Sequence, residues 1–168
     1  MLYRLPETAD EERLQSYVRE HKENGETGIS ASMGLGASGY ADWVERMHKN
    51  ARDGDENWGK SLLYLCFEKE RLVGLLSIRY ALPPDLAEKY GHIGYGVRPS
   101  ERMKGYATAM LGHALEICRE MGKKQVILGC YGDNAASDRV IQKNGGRLTA
   151  ENDRYTPGRI SRYYTIDL

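Results

Sequence analysis

The chain has 168 residues, 24 basic and 24 acidic side chains, and 40% hydrophobic residues. That length suits one domain, which can bury roughly two thirds of its unfolded surface without disulfide or metal staples. Zero formal net charge and a pI near 6.9 give no global positive field, which excludes non-specific nucleic-acid binding.

The longest uncharged apolar runs are Ser61–Phe67 and Leu72–Ile78. Both fall far short of the about 20 residues that a membrane helix needs. The opening MLYRLPETAD has no apolar stretch of the kind a secretory signal requires. Cys66, Cys118 and Cys130 form no CxxC, and their odd count argues against a disulfide frame. They read as reduced core thiols of a cytoplasmic protein, with no metal site.

In chain order, MLYRL alternates and predicts a first strand. Thr8 and Glu11 have capping-box spacing, and Leu14, Tyr17, Val18 and His21 then share one helical face up to Gly25. Residues 25–39 are rich in Gly and Ser and predict a long loop. Tyr40, Trp43, Val44, Met47 and Ala51 mark a second helix, ended by Asp53-Gly54. SLLYLCFE and RLVGLLSIRYAL are β-type runs joined by the polar Glu68–Arg71, the pattern of an antiparallel hairpin.

Pro83-Pro84 breaks the chain, and residues 85–90 fit a short turn of helix. GHIGYGV is a glycine-spaced strand, which predicts a bulge or a close backbone approach. Ala107, Met110, Leu111, Ala114, Leu115 and Cys118 carry the clearest helical pattern, closed by Gly122. KQVILGC is a strand. Residues 134–144 form a short helix stopped by Gly145-Gly146, and residues 147–151 and 160–167 form two last strands. This order, without repeat or linker, predicts one domain over 1–168. Its class is mixed α/β with a mostly antiparallel sheet.

Two strings imitate phosphate-binding motifs. Gly54–Ser61 matches GxxxxGK[ST], but a helix leads into it, a β-type run follows, and Asp55 and Glu56 would put negative charge in the cradle. Gly34–Gly39 matches GxGxxG, but GISASM before it is a poor buried strand, and Asp53, Asp55 and Glu56 lie in a loop. That stretch reads as a flexible loop able to border a substrate pocket.

Gly91–Ala107, GHIGYGVRPSERMKGYA, is more informative. A strand enters an Arg/Lys-rich turn, and a strong helix begins near Lys104. Gly105 lets the backbone come close to a ligand. The free amides of the first helical turn favour an anion, and Arg98, Arg102 and Lys104 add charge. The segment predicts a phosphate or pyrophosphate site. On the residues alone it also reads as a tight turn with a solvated basic face.

Arg102-Met103-Lys104-Gly105-Tyr106-Ala107 resembles the R/Q-x-x-G-x-G/A signature of the GNAT superfamily of N-acetyltransferases, and Val97-Arg98-Pro99 beside it is typical. A second family-like segment follows, from ILGCY through Asn134, Ser137, Val140, Ile141, Lys143 and Asn144 to Gly145-Gly146. The resemblance is sharpest over 91–146 and is similar to a bacterial subgroup of acetyltransferases. It implies a GNAT-like sheet of about seven strands with about four helices, in which Gly91–Val97 splays from Gln125–Cys130. It also implies acetyl-CoA as co-substrate and direct acetyl transfer to a primary amine.

By that resemblance, backbone groups of Tyr95, Gly96 and Val97 bind pantetheine and polarise the thioester. The amides of Arg102, Met103, Lys104, Gly105, Tyr106 and Ala107 hold pyrophosphate. Asn134 and Ser137 contact the pantetheine arm, unless they serve as helix caps. Lys143 approaches the adenosine end. The attacking amine must be neutral, so a base is expected.

His92, on the splayed strand, is the first candidate for that base. The competing reading is a histidine hydrogen-bonded at a strand end. Glu68, Glu88 and Glu101 are alternatives. His21, His48 and His113 lie on helices and read as structural or surface groups. Many family members place a Tyr acid where this chain has Ile141. Tyr131 is the expected substitute, or else a buried aromatic. The missing Tyr motivates a second reading, a non-catalytic CoA-binding regulatory domain. By the resemblance, the Gly25–Gly39 loop and the helix with Trp43 border the acceptor pocket, and the amine stays open among amino acids, polyamines, antibiotics and protein N-termini. Monomer and homodimer both fit.

Overall fold

The computed structural model describes residues 1–168. The β-type runs pair into two antiparallel sheets rather than one. The first has the order β1 (Leu2–Arg4), β2 (Leu62–Glu68), β3 (Arg71–Ile78), β4 (Ile93–Val97). The second has β5 (Gln125–Tyr131) at one edge, β7 (Arg159–Asp167) in the middle and β6 (Arg147–Thr156) outside. Five helices complete the fold: α1 (Glu11–Glu23), α2 (Tyr40–Arg52), α3 (Pro84–Tyr90), α4 (Tyr106–Glu120) and α5 (Ala135–Lys143). The short turn expected at 85–90 is α3, one more than the about four helices expected. β6 runs to Thr156, beyond the expected end at 151, because the register shifts along its pairing with β7 let the strand bend and continue.

The entry to α1 differs in detail from the capping box expected at Thr8. A short 3-10 turn over Thr8–Asp10 intervenes, and Asp10 does the capping. Its carboxylate accepts the Glu7 N–H at 3.0 Å and holds the Arg4 guanidinium through two bonds of 2.6 Å. First strand and first helix are thereby locked together.

β3 is buried along its length after Arg71, with no alternation. A strand covered on both faces reads as a continuous apolar run. On one face lie Leu14 and Tyr17 of α1 and Trp43, Val44 and Met47 of α2, packed on Leu63, Leu65 and Leu75. On the other, Met110, Leu111, Ala114, Leu115 and Cys118 of α4 meet Val73, Leu76 and Ile78. The same stripe of α4 also touches Val126 and Leu128 of β5 and Tyr164 and Ile166 of β7. Helix α4 therefore straps the two sheets together. Trp43 faces this core and donates its indole N–H to the Ser32 and Met33 carbonyls at 3.3 Å. It does not border a pocket, contrary to the sequence expectation.

Candidate active site

β4 and β5 touch at one point and then diverge. The His92 N–H donates to the Ile127 carbonyl at 2.7 Å, and the Ile127 N–H donates to His92 Nδ1 at 3.0 Å. Gly91 makes the contact possible. Its φ is +71°, and a Cβ there would sit 3.0 Å from the Ile127 oxygen. A side chain would be strained and crowded at once.

Beyond that apex, hydrogen-bond phase decides which backbone groups face the gap. Arg79 N–H bonds the His92 carbonyl and Arg98 N–H bonds the Val73 carbonyl. In an antiparallel ladder bonded pairs alternate, so Gly94 and Gly96 bond β3 while Ile93, Tyr95 and Val97 point outward into the gap. On β5, Gly132 N–H bonds Ile160, and Leu168 N–H bonds Lys124. By the same alternation Ile127, Gly129 and Tyr131 face the gap. Two ragged rows of peptide groups thus look at each other across an open V.

The pairing of β3 with β4 runs in unbroken register, without the expected bulge. The other expectation, close approach, holds. A Cβ on Gly96 would lie 2.9 Å from the Ser30 carbonyl oxygen, and one on Gly94 would lie 2.9 Å from Ser77 Oγ. Gly96 therefore gives the 25–39 loop room to lie on β4. Its own N–H and C=O belong to β3, a correction to its expected backbone role at the ligand.

The V opens into a cleft of about 820 Å³. At its mouth stands the N-terminus of α4. Gly105, at φ +86°, turns the chain into the helix and supplies no side-chain cap. No acceptor in the protein meets the N–H groups of residues 103–108. Such a row of free amides at the positive end of a helix is an anion site. Met103, at φ +63° and almost fully exposed, belongs to the same turn.

The cations around it differ in role. Arg98 turns inward to the Leu72 carbonyl at 2.8 Å and to Glu20 at 2.7 Å, so it is structural and adds no charge to the mouth. Arg102 lines the cleft, but its guanidinium is forked onto Glu26 at 2.7 and 2.9 Å and bonds the Val97 carbonyl. His21 Nδ1 meets the same carboxylate at 2.7 Å, so this helix histidine is tied to the mouth after all. The Arg102 bond first, and then that of His21, hold the Glu26 carboxyl down to about 2 against burial. Lys104 pairs with Glu101 at 2.8 Å and is the one expected ligand-binding residue that does not line the cleft.

The second wall is α5. Asn134 Oδ1 accepts the Ser137 N–H at 3.0 Å, a helix cap that leaves the Asn134 amide N–H groups without a partner in the protein. Ser137 Oγ lies 2.8 Å from the Tyr95 hydroxyl, which ties β4 to α5 across the gap. Burial pushes the Tyr95 phenol up, and burial raises the Cys130 thiol to about 11. Lys143 lines the cleft, free of any carboxylate partner. Ile141 is fully buried in the main core, so no acid occupies that position. The Tyr131 hydroxyl bonds Thr156 Oγ1 at 2.9 Å, and its ring lies 3.5 Å below the Arg159 guanidinium, with the residue lining the cleft.

His92 is corrected. It is buried at the apex and does not line the cleft. Its Nδ1 accepts a backbone N–H that can only donate, so the ring is neutral. Burial first, then the charge of Lys123, depress it to about 4. It staples the two sheets. The alternative bases fare no better. Glu68 lies by the N-terminal amine at 3.7 Å and Glu88 by Arg154 at 3.8 Å, both outside the cleft. Glu101 lines the cleft but is paired with Arg71 and Lys104, and the Lys104 bond above all holds its carboxyl low.

A splayed strand pair with free amides at its mouth is the setting in which the two sequence segments fall. The model of the acetyltransferase (GNAT) family matches residues 35–146. The chain belongs to the GNAT acetyltransferase family. Solved structures similar to this GNAT chain agree with it in fold along nearly its whole length. yncA of Salmonella typhimurium, solved with its cofactor acetyl-CoA, has a TM-score of 0.70 at 16% identity, covering 99% of this chain and 93% of that one. RimL, a ribosomal L7/L12 α-N-protein acetyltransferase solved with coenzyme A, has 0.72 at 20% identity, with 99% and 93% covered. The ribosomal-protein-alanine N-acetyltransferase of Brucella melitensis has 0.70 at 17%, with both chains fully covered. No curated protein sequence matches the chain.

Gly129, Arg139 and Arg79 are among the cleft residues of this acetyltransferase that sequence reasoning missed. Gly129 exposes its backbone because β5 is an edge strand, a long-range fact. Arg139 stands one helical turn before Lys143 on α5, and its i, i+4 spacing was a usable signal. Arg79 follows β3, and nothing in its neighbours marks it.

Proposed function

We propose that this GNAT domain, acting as one unit over 1–168, takes acetyl from acetyl-CoA and delivers it to a primary amine bound near the apex of the V. The observation that carries the reading is the uncapped row of amides at 103–108, set where the gap between β4 and β5 opens. Those amides suit a pyrophosphate. Lys143 and Arg139, both without a carboxylate partner, suit further phosphate beside it. The outward peptide groups of Tyr95, Val97 and Gly129 suit the two amides of a pantetheine arm threaded between the strands. An outward N–H of β4 suits the thioester oxygen, where negative charge grows as the amine attacks.

In the transfer, the amine nitrogen forms a bond to the carbonyl carbon and the carbon–sulfur bond breaks. One proton leaves the nitrogen and the thiolate gains one. The only carboxylates lining the cleft, Glu26 and Glu101, are both ion-paired. The proton therefore leaves through water, and the amine must arrive neutral. Tyr131, whose residue lines the cleft, is the hydroxyl this reading assigns to protonating sulfur, with Tyr95 as the second candidate.

Calorimetry with acetyl-CoA, followed by thiol release across an amine panel, tests this. We expect binding, and a kcat/KM that rises with pH along the ionisation of each amine. No binding at millimolar acetyl-CoA removes the proposal. Binding without thiol release above solvent hydrolysis, with every amine, turns the cleft into the non-catalytic CoA site of the second reading.

A further inference from the structure

The end of the cleft far from the amide row holds a cation that the acetyl-transfer reading does not use. Arg79 donates Nε to the Gly91 carbonyl and Nη2 to the Tyr90 carbonyl, both at 3.0 Å. These carbonyls close the C-terminus of α3, so part of the charge is met by that helix end. Nη1 has no acceptor in the protein. It sits over the floor of the cleft, where a Cβ on Gly94 would lie 3.9 Å from it.

No carboxylate pairs with Arg79. The titratable side chain it feels most is Tyr155, whose hydroxyl has no partner in the protein. The other charge at this end is also positive. Lys89 lines the same cleft, its ammonium 5.2 Å from the Tyr90 ring centroid. The acids that line the cleft, Glu26 and Glu101, belong to the other end and are committed to Arg102, Arg71 and Lys104. A largely buried guanidinium with a spare donor, a cationic neighbour and no counter-ion is costly to the empty protein, and a bound anion offsets that cost.

We infer that the acceptor amine carries an anionic group, a carboxylate or a phosphate, which docks on Arg79 Nη1 beside Lys89. The cleft then has an anion site at each end, one for the donor and one for the acceptor, with the reacting atoms between. The inference rests on the acetyl-transfer reading.

Matched acceptors test it: amino acids against the amines left when their carboxylate is removed, and phosphoethanolamine against ethanolamine. The anionic member of a pair is expected to be preferred by about 10–100-fold in kcat/KM, mostly through KM, the size of one charged hydrogen bond. The carboxylate and phosphate arms show which anion fits. Arg79→Gln should bring the ratio within pairs close to one, with acetyl-CoA affinity, read by calorimetry, held. Arg79→Lys, which keeps the charge, should retain part of the ratio, and Lys89→Gln should lower it by less than Arg79→Gln does. If Arg79→Gln does not fold, the wild-type pairs and the two other variants still decide.

Equal rates within the pairs overturn the inference, as does a preference that survives Arg79→Lys and Lys89→Gln undiminished. Protein that binds acetyl-CoA yet turns over no anionic amine also overturns it and leaves donor binding standing. Protein that binds no acetyl-CoA overturns the donor reading, and this inference with it.

Discussion

Two loops of this chain offer glycine and lysine to an anion, and they end in opposite states. Gly54–Ser61 closes on itself. Asp55 and Gly59 exchange two backbone hydrogen bonds, and Asp55 Oδ1 takes the N–H groups of Asn57 and Trp58 at 2.9 and 3.1 Å. Its amides are spent on a carboxylate of its own, and a strand follows. Arg102–Ala107 holds no acid, passes through a left-handed glycine and opens a fifteen-residue helix with its amides unused. A phosphate motif is thus a statement about where the N–H groups go, and one aspartate within the string is enough to reverse it.

The strongest way to break this contrast is to give the open loop an acid. Gly105→Asp should weaken acetyl-CoA binding by about 100-fold or more, because it sets a negative charge among the amides that would hold phosphate. Nothing lies within 4 Å of a Cβ there, so the variant should fold. Gly105→Ala isolates the backbone strain, worth about 1–2 kcal/mol at this φ, and should cost tenfold or so. An alanine loss as large as the aspartate loss would make geometry, and not charge, the property of the loop.

The apex, where every group is engaged, should respond in stability instead. His92→Ala leaves the Ile127 N–H unpaired and should cost about 1–3 kcal/mol. The folded pKa near 4 lies below the ordinary value of 6.5. Hence the wild type is favoured by the neutral ring above pH 6.5 and loses that advantage as pH falls from 6.5 to 4. The loss is on the order of 3 kcal/mol. Urea melts at pH 7 and pH 4.5 should show this slope in the wild type and a flatter one in His92→Ala. A rate profile that changes shape with His92 would restore it as a base.

Arg102→Ala should weaken acetyl-CoA by about fivefold, a partial effect because the guanidinium is shared with Glu26. Calorimetry at two salt concentrations measures it. The smallest change is expected at the closed loop. Lys60→Ala should leave acetyl-CoA affinity within twofold, and a larger loss would mean that the loop reaches the ligand.

The helices and the hairpin were legible because each rests on local periodicity, and the segments 102–107 and 134–146 because loop chemistry is local too. The division into two sheets was not legible in local periodicity, and the splay of Gly91–Val97 from Gln125–Cys130 came only through the family resemblance. KQVILGC says that a strand exists, but its lack of a β4 partner beyond Ile127 depends on geometry set by α4 and Gly91. His92 misled for the same reason. Its position on the splayed strand was correct, yet the partner that fixes its protonation lies 35 residues away. Arg79 carried no signal at all, since an arginine after a strand is ordinarily solvated. Only the three-dimensional absence of a carboxylate makes it unusual.

The single rung at His92–Ile127 also fixes how the molecule carries load. Between that rung and the mouth, the two sheets share no main-chain hydrogen bond and are held by α4 and the Tyr95–Ser137 contact. A force pulling β3 away from β7 therefore meets the rung, α4 and the Tyr163–Lys89 hydrogen bond that ties β7 to α3, and no continuous ladder. A linear ligand lying in the gap and bonded to both rows would behave as a missing plank between them. Amide exchange at Tyr95, Val97, Gly129 and Tyr131 reads that change directly: rapid while the seam is open, slow once it is bridged.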